Sequence, residues 1–266
     1  MEKRGNLVKM KGIQGEPVQY FLELGGEEIL MNPLIGKEIR IEYLHEINCI
    51  RCGRKTPKSF GQGFCYPCFI SAPEASECVL RPELCQAHLG ISRDMTWSQG
   101  HCLQDHFVYL ALTSDVKVGV TRASQIPTRW IDQGAWKAIQ IAKTPNRYLA
   151  GLIEVELKKQ LPDKTNWRLM LTNQMDWKRD LEAEKQRVLP LLPPELAPYA
   201  YPENDVTTLQ YPVAEYPSKV NSLTLDKNPV LTGIFTGIRG QYLYLSENSV
   251  FNIRNHSSYK VNIQFP

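Results

Sequence analysis

The chain has 266 residues, 42% of them hydrophobic and 22% charged, a composition able to bury a core and unlike that of a disordered or collagen-like chain. Its formal charge of +3 is unevenly spread: residues 107–187 hold 14 Lys/Arg against 9 Asp/Glu, while residues 1–106 (12 against 13) and 188–266 (5 against 6) are balanced. That central excess suits contact with a polyanion, and a solvated helix surface explains it equally well. No apolar run approaches the roughly 18 residues of a membrane span, and Met1-Glu2-Lys3-Arg4-Gly5 opens no signal peptide. A cytoplasmic, soluble protein with no membrane partner is expected.

The pattern predicts an α+β chain in five parts. Residues 1–47 read as a β meander, with strands over Leu7–Met10, Val18–Leu24, Glu28–Met31 and Lys37–Tyr43 broken at Gly25-Gly26 and Asn32-Pro33. Residues 48–106 hold all seven cysteines. Cys49, Cys52, Cys65 and Cys68 form two Cys-x2-Cys pairs, a spacing that brings four thiolates around one structural Zn2+, with Gly53 and Gly63 supplying the turns. A redox dithiol pair is the alternative, but no thioredoxin-like βαβ pattern flanks it. The loop between the pairs carries Arg51, Arg54, Lys55 and Lys58 among Phe60 and Phe64, a mixture that suits nucleic acid or a plain solvated loop. Cys78, Cys85 and Cys102 with a histidine, His106, offer a second zinc site; small buried cysteines beside surface histidines are the alternative.

Residues 107–189 open with two apolar runs, Phe107–Leu112 and Val116–Thr121, joined by Thr113-Ser114-Asp115 as a hairpin, and Gly119 within the second run marks close approach of a backbone or a ligand. A short helix over Arg122–Gln133 with Pro127 in its first turn, a third strand over Trp136–Ala142, a helix over Arg147–Leu161 capped by Thr144, and a helix over Asn166–Leu189 follow. Seven prolines in residues 190–217 predict a stiff connector. Residues 218–266 form a small C-terminal β module of five strands, Val220–Leu225, Val230–Gly237, Tyr242–Leu245, Val250–Ile253 and Tyr259–Phe265, expected to pack with the N-terminal strands.

The central block resembles the GIY-YIG nuclease superfamily. Phe107-Val108-Tyr109 stands at the first tripeptide, Lys117-Val118-Gly119 at the second, Arg129 at the helix arginine and Ala150-x-x-x-Glu154 at the metal-binding glutamate. The resemblance covers about a fifth of the chain and implies a three-stranded antiparallel sheet with helices and a metal-dependent phosphodiesterase acting on DNA or RNA. Phe107, Lys117 and Gln133 depart from the family pattern, which puts activity rather than fold in question. The whole chain, with its Cys-rich lead-in and Gly-rich β tail, also resembles an uncharacterised bacterial family.

Phosphodiester hydrolysis needs an activated water, charge neutralisation and support for the leaving oxygen. Glu154 is the expected ligand for Mg2+ or Mn2+, Arg129 the phosphate clamp, and Tyr109 a proton relay held by Lys117; Gly119 and Arg122 are expected at the nucleic acid. The competing expectation is a non-catalytic nucleic-acid-binding module on the same platform. Convergence of Tyr109, Arg129 and Glu154 on one cleft separates the two.

Overall fold

The computed structural model describes residues 2–161 and 166–266. The chain starts with β1 (Glu2–Asn6), β2 (Lys11–Ile13), β3 (Gln19–Leu24), β4 (Glu27–Leu30) and β5 (Glu38–Ile47). Gly25 (φ 64°) and Gly26 (φ 83°) turn β3 into β4, a left-handed pair that suits a tight hairpin. Residues 7–10 are not a strand: Leu7 and Met10 are fully buried, and their amides bond to Tyr259 O and Gln241 Oε1, so the apolar run is a core-filling link. Only β2, β3 and β4 form the small N-terminal sheet.

The cysteine-rich stretch follows, with α1 (Tyr66–Ser71), single 3-10 turns at Pro73–Ala75, Glu77–Val79, Pro82–Leu84 and Ala87–Leu89, and α2 (Met95–His101). The central block contains β6 (His106–Leu112), β7 (Val116–Arg122), α3 (Thr128–Asp132), β8 (Lys137–Thr144) and α4 (Arg147–Lys158). Asn146, not Thr144, caps α4, its Oδ1 accepting from the Leu149 amide. The long helix expected over Asn166–Leu189 is two short ones, α5 (Trp167–Leu171) and α6 (Leu181–Val188). Asn173 at φ 57° interrupts helical geometry between them, and Asp180 starts α6 afresh by capping the amides of Glu182 and Ala183.

The proline-rich connector contributes a strand, β9 (Val206–Thr208), before β10 (Asn221–Leu223), β11 (Val230–Arg239), β12 (Tyr242–Leu245), β13 (Ser249–Asn252) and β14 (Tyr259–Gln264) complete the chain. β9 adds to β8, so the central sheet is four-stranded, β7-β6-β8-β9, rather than three-stranded. Both chain ends build one seven-stranded sheet, β1-β14-β5-β11-β12-β13-β10. β5 lies between β14 and β11, antiparallel to both.

Every residue of β6 is buried because both faces of the central sheet are covered. Val108, Leu110 and Leu112 pack with Ala150, Ile153 and Leu157 of α4, while Tyr109 and Ala111 pack with Trp130, Ile131 and the apolar residues of the two β-rich ends. This sandwiching fixes where the polar residues at the edge of β7 can emerge.

Candidate functional site

Tyr109 stands opposite Gly119 in the β6–β7 register. A Cβ on Gly119 would lie 2.6 Å from Tyr109 Oη and 2.7 Å from Cζ, so the space above this glycine is filled by the tyrosine ring and not by a ligand, contrary to the sequence expectation. Gln133 Nε2 donates to Tyr109 Oη at 2.6 Å, taking the role expected of Lys117. Burial holds the Tyr109 phenol above its usual range despite Arg129 and Gln133, so it stays neutral and is not a ready base. Lys117, one pair along the same face, is pushed down to about 8 by burial and by Arg129.

Glu154 is buried on α4, with its carboxylate 3.4 Å from Lys158. Burial and Glu83 raise its pKa, outweighing Lys158 and Arg129. The Arg129 charge acts on Tyr109 and Lys117, and least on Glu154, whose main cationic partner is Lys158.

Of these four, only Arg129 opens on the adjoining cleft of about 190 Å³. There it meets Arg122 from the end of β7, Arg147 from the first position of α4, Arg254 from the turn before β14, and Lys9. One carboxylate, Asp132, also lines the cleft, and it is already engaged by Lys9 at 2.5 Å and by Gln241 Nε2 at 3.0 Å. Burial and Arg147 push Arg122 below its usual range, and burial and Arg129 do the same for Arg254. Cations held together against mutual repulsion make a receptor for an anion. Sequence reading found Arg122 and Arg129 but missed Lys9, Arg147 and Arg254, which lie far apart in the chain and carry no local motif.

Cys49, Cys52, Cys65 and Cys68 bring their sulfurs within 4.8 Å of one another and could hold a metal ion. Gly53 (φ 70°) and Gly63 (φ 136°) provide the turns beside the two pairs. The surrounding loop is less available than its sequence suggested. Arg51 is ion-paired with Glu74 at 2.5 Å, Phe64 is buried, and Phe60 packs edge-on against Tyr66 with Lys58 over its ring; Arg54 and Lys55 are exposed.

Cys78, Cys85 and Cys102 form a second group within 4.8 Å. His106, the expected fourth ligand, is outside that group, so the cluster as placed has three ligands. Its Nδ1 lies 2.7 Å from Gln104 O, and its Nε2 is buried without a hydrogen-bond partner. Burial pushes this imidazole down to about 4, and a neutral ring whose Nδ1–H donates to a carbonyl carries its lone pair on Nε2. That is the ligand form.

The second cluster also builds the arginine cleft. The Arg147 guanidinium donates to Cys78 O at 3.1 Å and His101 O at 3.2 Å, and the Arg147 amide to Cys102 O at 2.8 Å. Val79 and Pro82 line the cleft directly. The Pro82–Leu84 turn lies against α4 so closely that a Cβ on Gly151 would fall 2.2 Å from the Glu83 amide nitrogen.

A family profile described as "Protein of unknown function (DUF2797)" matches residues 36–261. The chain belongs to this family. The DUF2797 match takes in both cysteine groups, Glu154 and four of the five cations of the cleft, leaving Lys9 outside. No curated protein and no solved structure matches the chain. Among the described residues of this DUF2797 chain, no helix is long and apolar enough to cross a membrane.

Proposed function

We propose that this DUF2797 protein binds nucleic acid, with a backbone phosphate held in the arginine cleft of a GIY-YIG-like platform. One observation carries the reading: four arginines line one cleft whose single carboxylate, Asp132, is already paired with Lys9. Guanidinium forks match phosphate oxygens, and phosphate contacts dominate nucleic-acid affinity. Both cysteine centres hold Zn2+ in this reading. The first supplies four thiolates, and at the second the orphaned His106 Nε2 closes on the three sulfurs as fourth ligand. The test is fluorescence anisotropy with labelled single-stranded and duplex DNA and RNA. Arg129→Gln is expected to weaken binding about tenfold or more on every sequence, and unchanged affinity would remove the reading.

Tyr109 and Glu154 do not open on the cleft with Arg129, which counts against the second reading, the metal-dependent phosphodiesterase; that reading rests on Glu154 alone. Glu154 is a buried carboxylate whose pKa burial raises despite its ion pair with Lys158, and packing alone does not require a charged group there. Here Glu154 ligates Mg2+ or Mn2+, Arg129 neutralises the scissile phosphate, and the water is activated by a group other than Tyr109. Cleavage by the wild type that requires Mg2+ or Mn2+ and disappears in Glu154→Gln selects this reading; binding without cleavage selects the platform.

A further inference from the structure

A second cleft, of about 180 Å³, is lined by Trp136, Trp177, Tyr211 and Tyr216 above Arg239 and Met175. Its walls are aromatic. Trp136 and Trp177 meet edge to face at 4.5 Å, and Trp177 remains 45% exposed, an unusual position for so large an apolar ring. At its floor Arg239 is 1% exposed, and no carboxylate lines the cleft.

The acceptors around that guanidinium are unequal. Nε donates to Gly134 O at 3.0 Å, and Nη1 donates to Met170 O at 3.1 Å and Asn173 Oδ1 at 3.0 Å. Nη2 instead faces the Met175 thioether at 3.0 Å, a weak acceptor. The Tyr211 ring centre lies 5.2 Å from the guanidinium carbon and the Tyr216 hydroxyl also interacts with Arg239, so the thioether is the weakest of its partners and the one that a better oxygen acceptor can replace. The surrounding rings admit a flat ligand.

We propose that this cleft is a nucleobase site that stacks a guanine on Trp177, with Arg239 Nη2 donating to its O6. Stacking on an aromatic ring suits any base, whereas the arginine edge favours one presenting a carbonyl acceptor, which adenine lacks; among the bases that have one, guanine alone offers a two-ring face to Trp177. The proposal rests on the nucleic-acid reading for the source of the base, but the contact itself needs no phosphate.

The test is calorimetric titration with guanosine and, in parallel, adenosine, neither of which carries a phosphate. Guanosine is expected to bind at least about tenfold more tightly than adenosine. Trp177→Ala, a change at a half-exposed ring, is expected to weaken guanosine about tenfold or more. Met175→Leu, which deletes the weak acceptor at similar volume, is expected to retain guanosine binding. Inorganic phosphate is expected not to compete. No guanosine binding by the wild type, equal affinity for adenosine, full affinity in Trp177→Ala, or competition by phosphate would each overturn the assignment. Because these ligands lack phosphate, failure here leaves the arginine-cleft reading intact, and unchanged oligonucleotide affinity in Arg129→Gln, which removes that reading, leaves this one intact.

Discussion

The two cysteine groups look alike in sequence as clustered thiols, yet they are attached to different things. Cys49 to Cys68 close a small knuckle with its own apolar core of Phe64 and Ala72, tied to the start of β14 by the Asn48 amide on Ser258 O. Cys78, Cys85 and Cys102 close a stretch that leaves Leu80, Leu89 and Ile91 exposed, and its carbonyls hold the Arg147 guanidinium. A metal at the first group would organise a local fold, while a metal at the second would organise a wall of the arginine cleft. The comparison teaches that ligand count alone does not rank the importance of a metal site; what its loops carry does.

The largest expected effect breaks the two groups apart. Cys85→Ser should remove about one equivalent of bound zinc and weaken oligonucleotide binding tenfold or more. Cys52→Ser should also remove about one equivalent but leave binding within about twofold. Metal content and anisotropy on the same preparations check both, and equal effects on binding would erase the distinction.

Next in size is Gly151→Ala. Its new Cβ would meet backbone at Pro82–Glu83, which cannot rotate away, so the turn must lift from α4. A loss of about 2–3 kcal/mol in denaturant unfolding is expected, together with weaker oligonucleotide binding. Gly119→Ala sharpens the contrast. Its Cβ would strike the Tyr109 ring, which is fully buried, and about 1–3 kcal/mol of stability should be lost without any change in zinc content.

The smallest effect is a pH dependence at Lys117. Its pKa falls from the ordinary lysine range to about 8 in the folded protein, chiefly through burial. Between about pH 8 and the usual lysine pKa near about 10.4, the unfolded chain binds the extra proton, so stability from this group rises with pH across that window and is lowest below it. Lys117→Met should therefore raise the melting temperature at pH 7, and the advantage should shrink as pH climbs past 8. A pH-independent difference would contradict the assignment.

Much of the fold was legible where the signal is local. The Thr113-Ser114-Asp115 turn between two apolar runs gives the β6–β7 hairpin, and five C-terminal strands stand where alternating apolar residues and glycines put them. Pairing between distant segments was less legible. Residues 206–208 joined the central sheet from within a proline-rich stretch, and Leu7–Met10 looked like a strand because core-filling links and strands share the same apolar residues.

The site divides in the same way. Cys49, Cys52, Cys65 and Cys68 announce themselves through spacing, whereas Lys9, Arg147 and Arg254 become neighbours only once three separate parts of the chain have folded. Arg147 had a legible role as the opening residue of a helix, and nothing local indicated that its guanidinium would bind the cysteine loop.

The central claim is that the arginine cleft makes the phosphate contacts, and the salt dependence of oligonucleotide affinity tests it most directly. Each phosphate contact contributes about 0.7–0.9 to the slope of log affinity against log salt. Arg122→Gln combined with Arg254→Gln is predicted to reduce that slope by about one to two and to weaken binding alike across sequences. An unchanged slope in the double variant, with its fold intact by circular dichroism, would place the nucleic acid elsewhere and contradict the account.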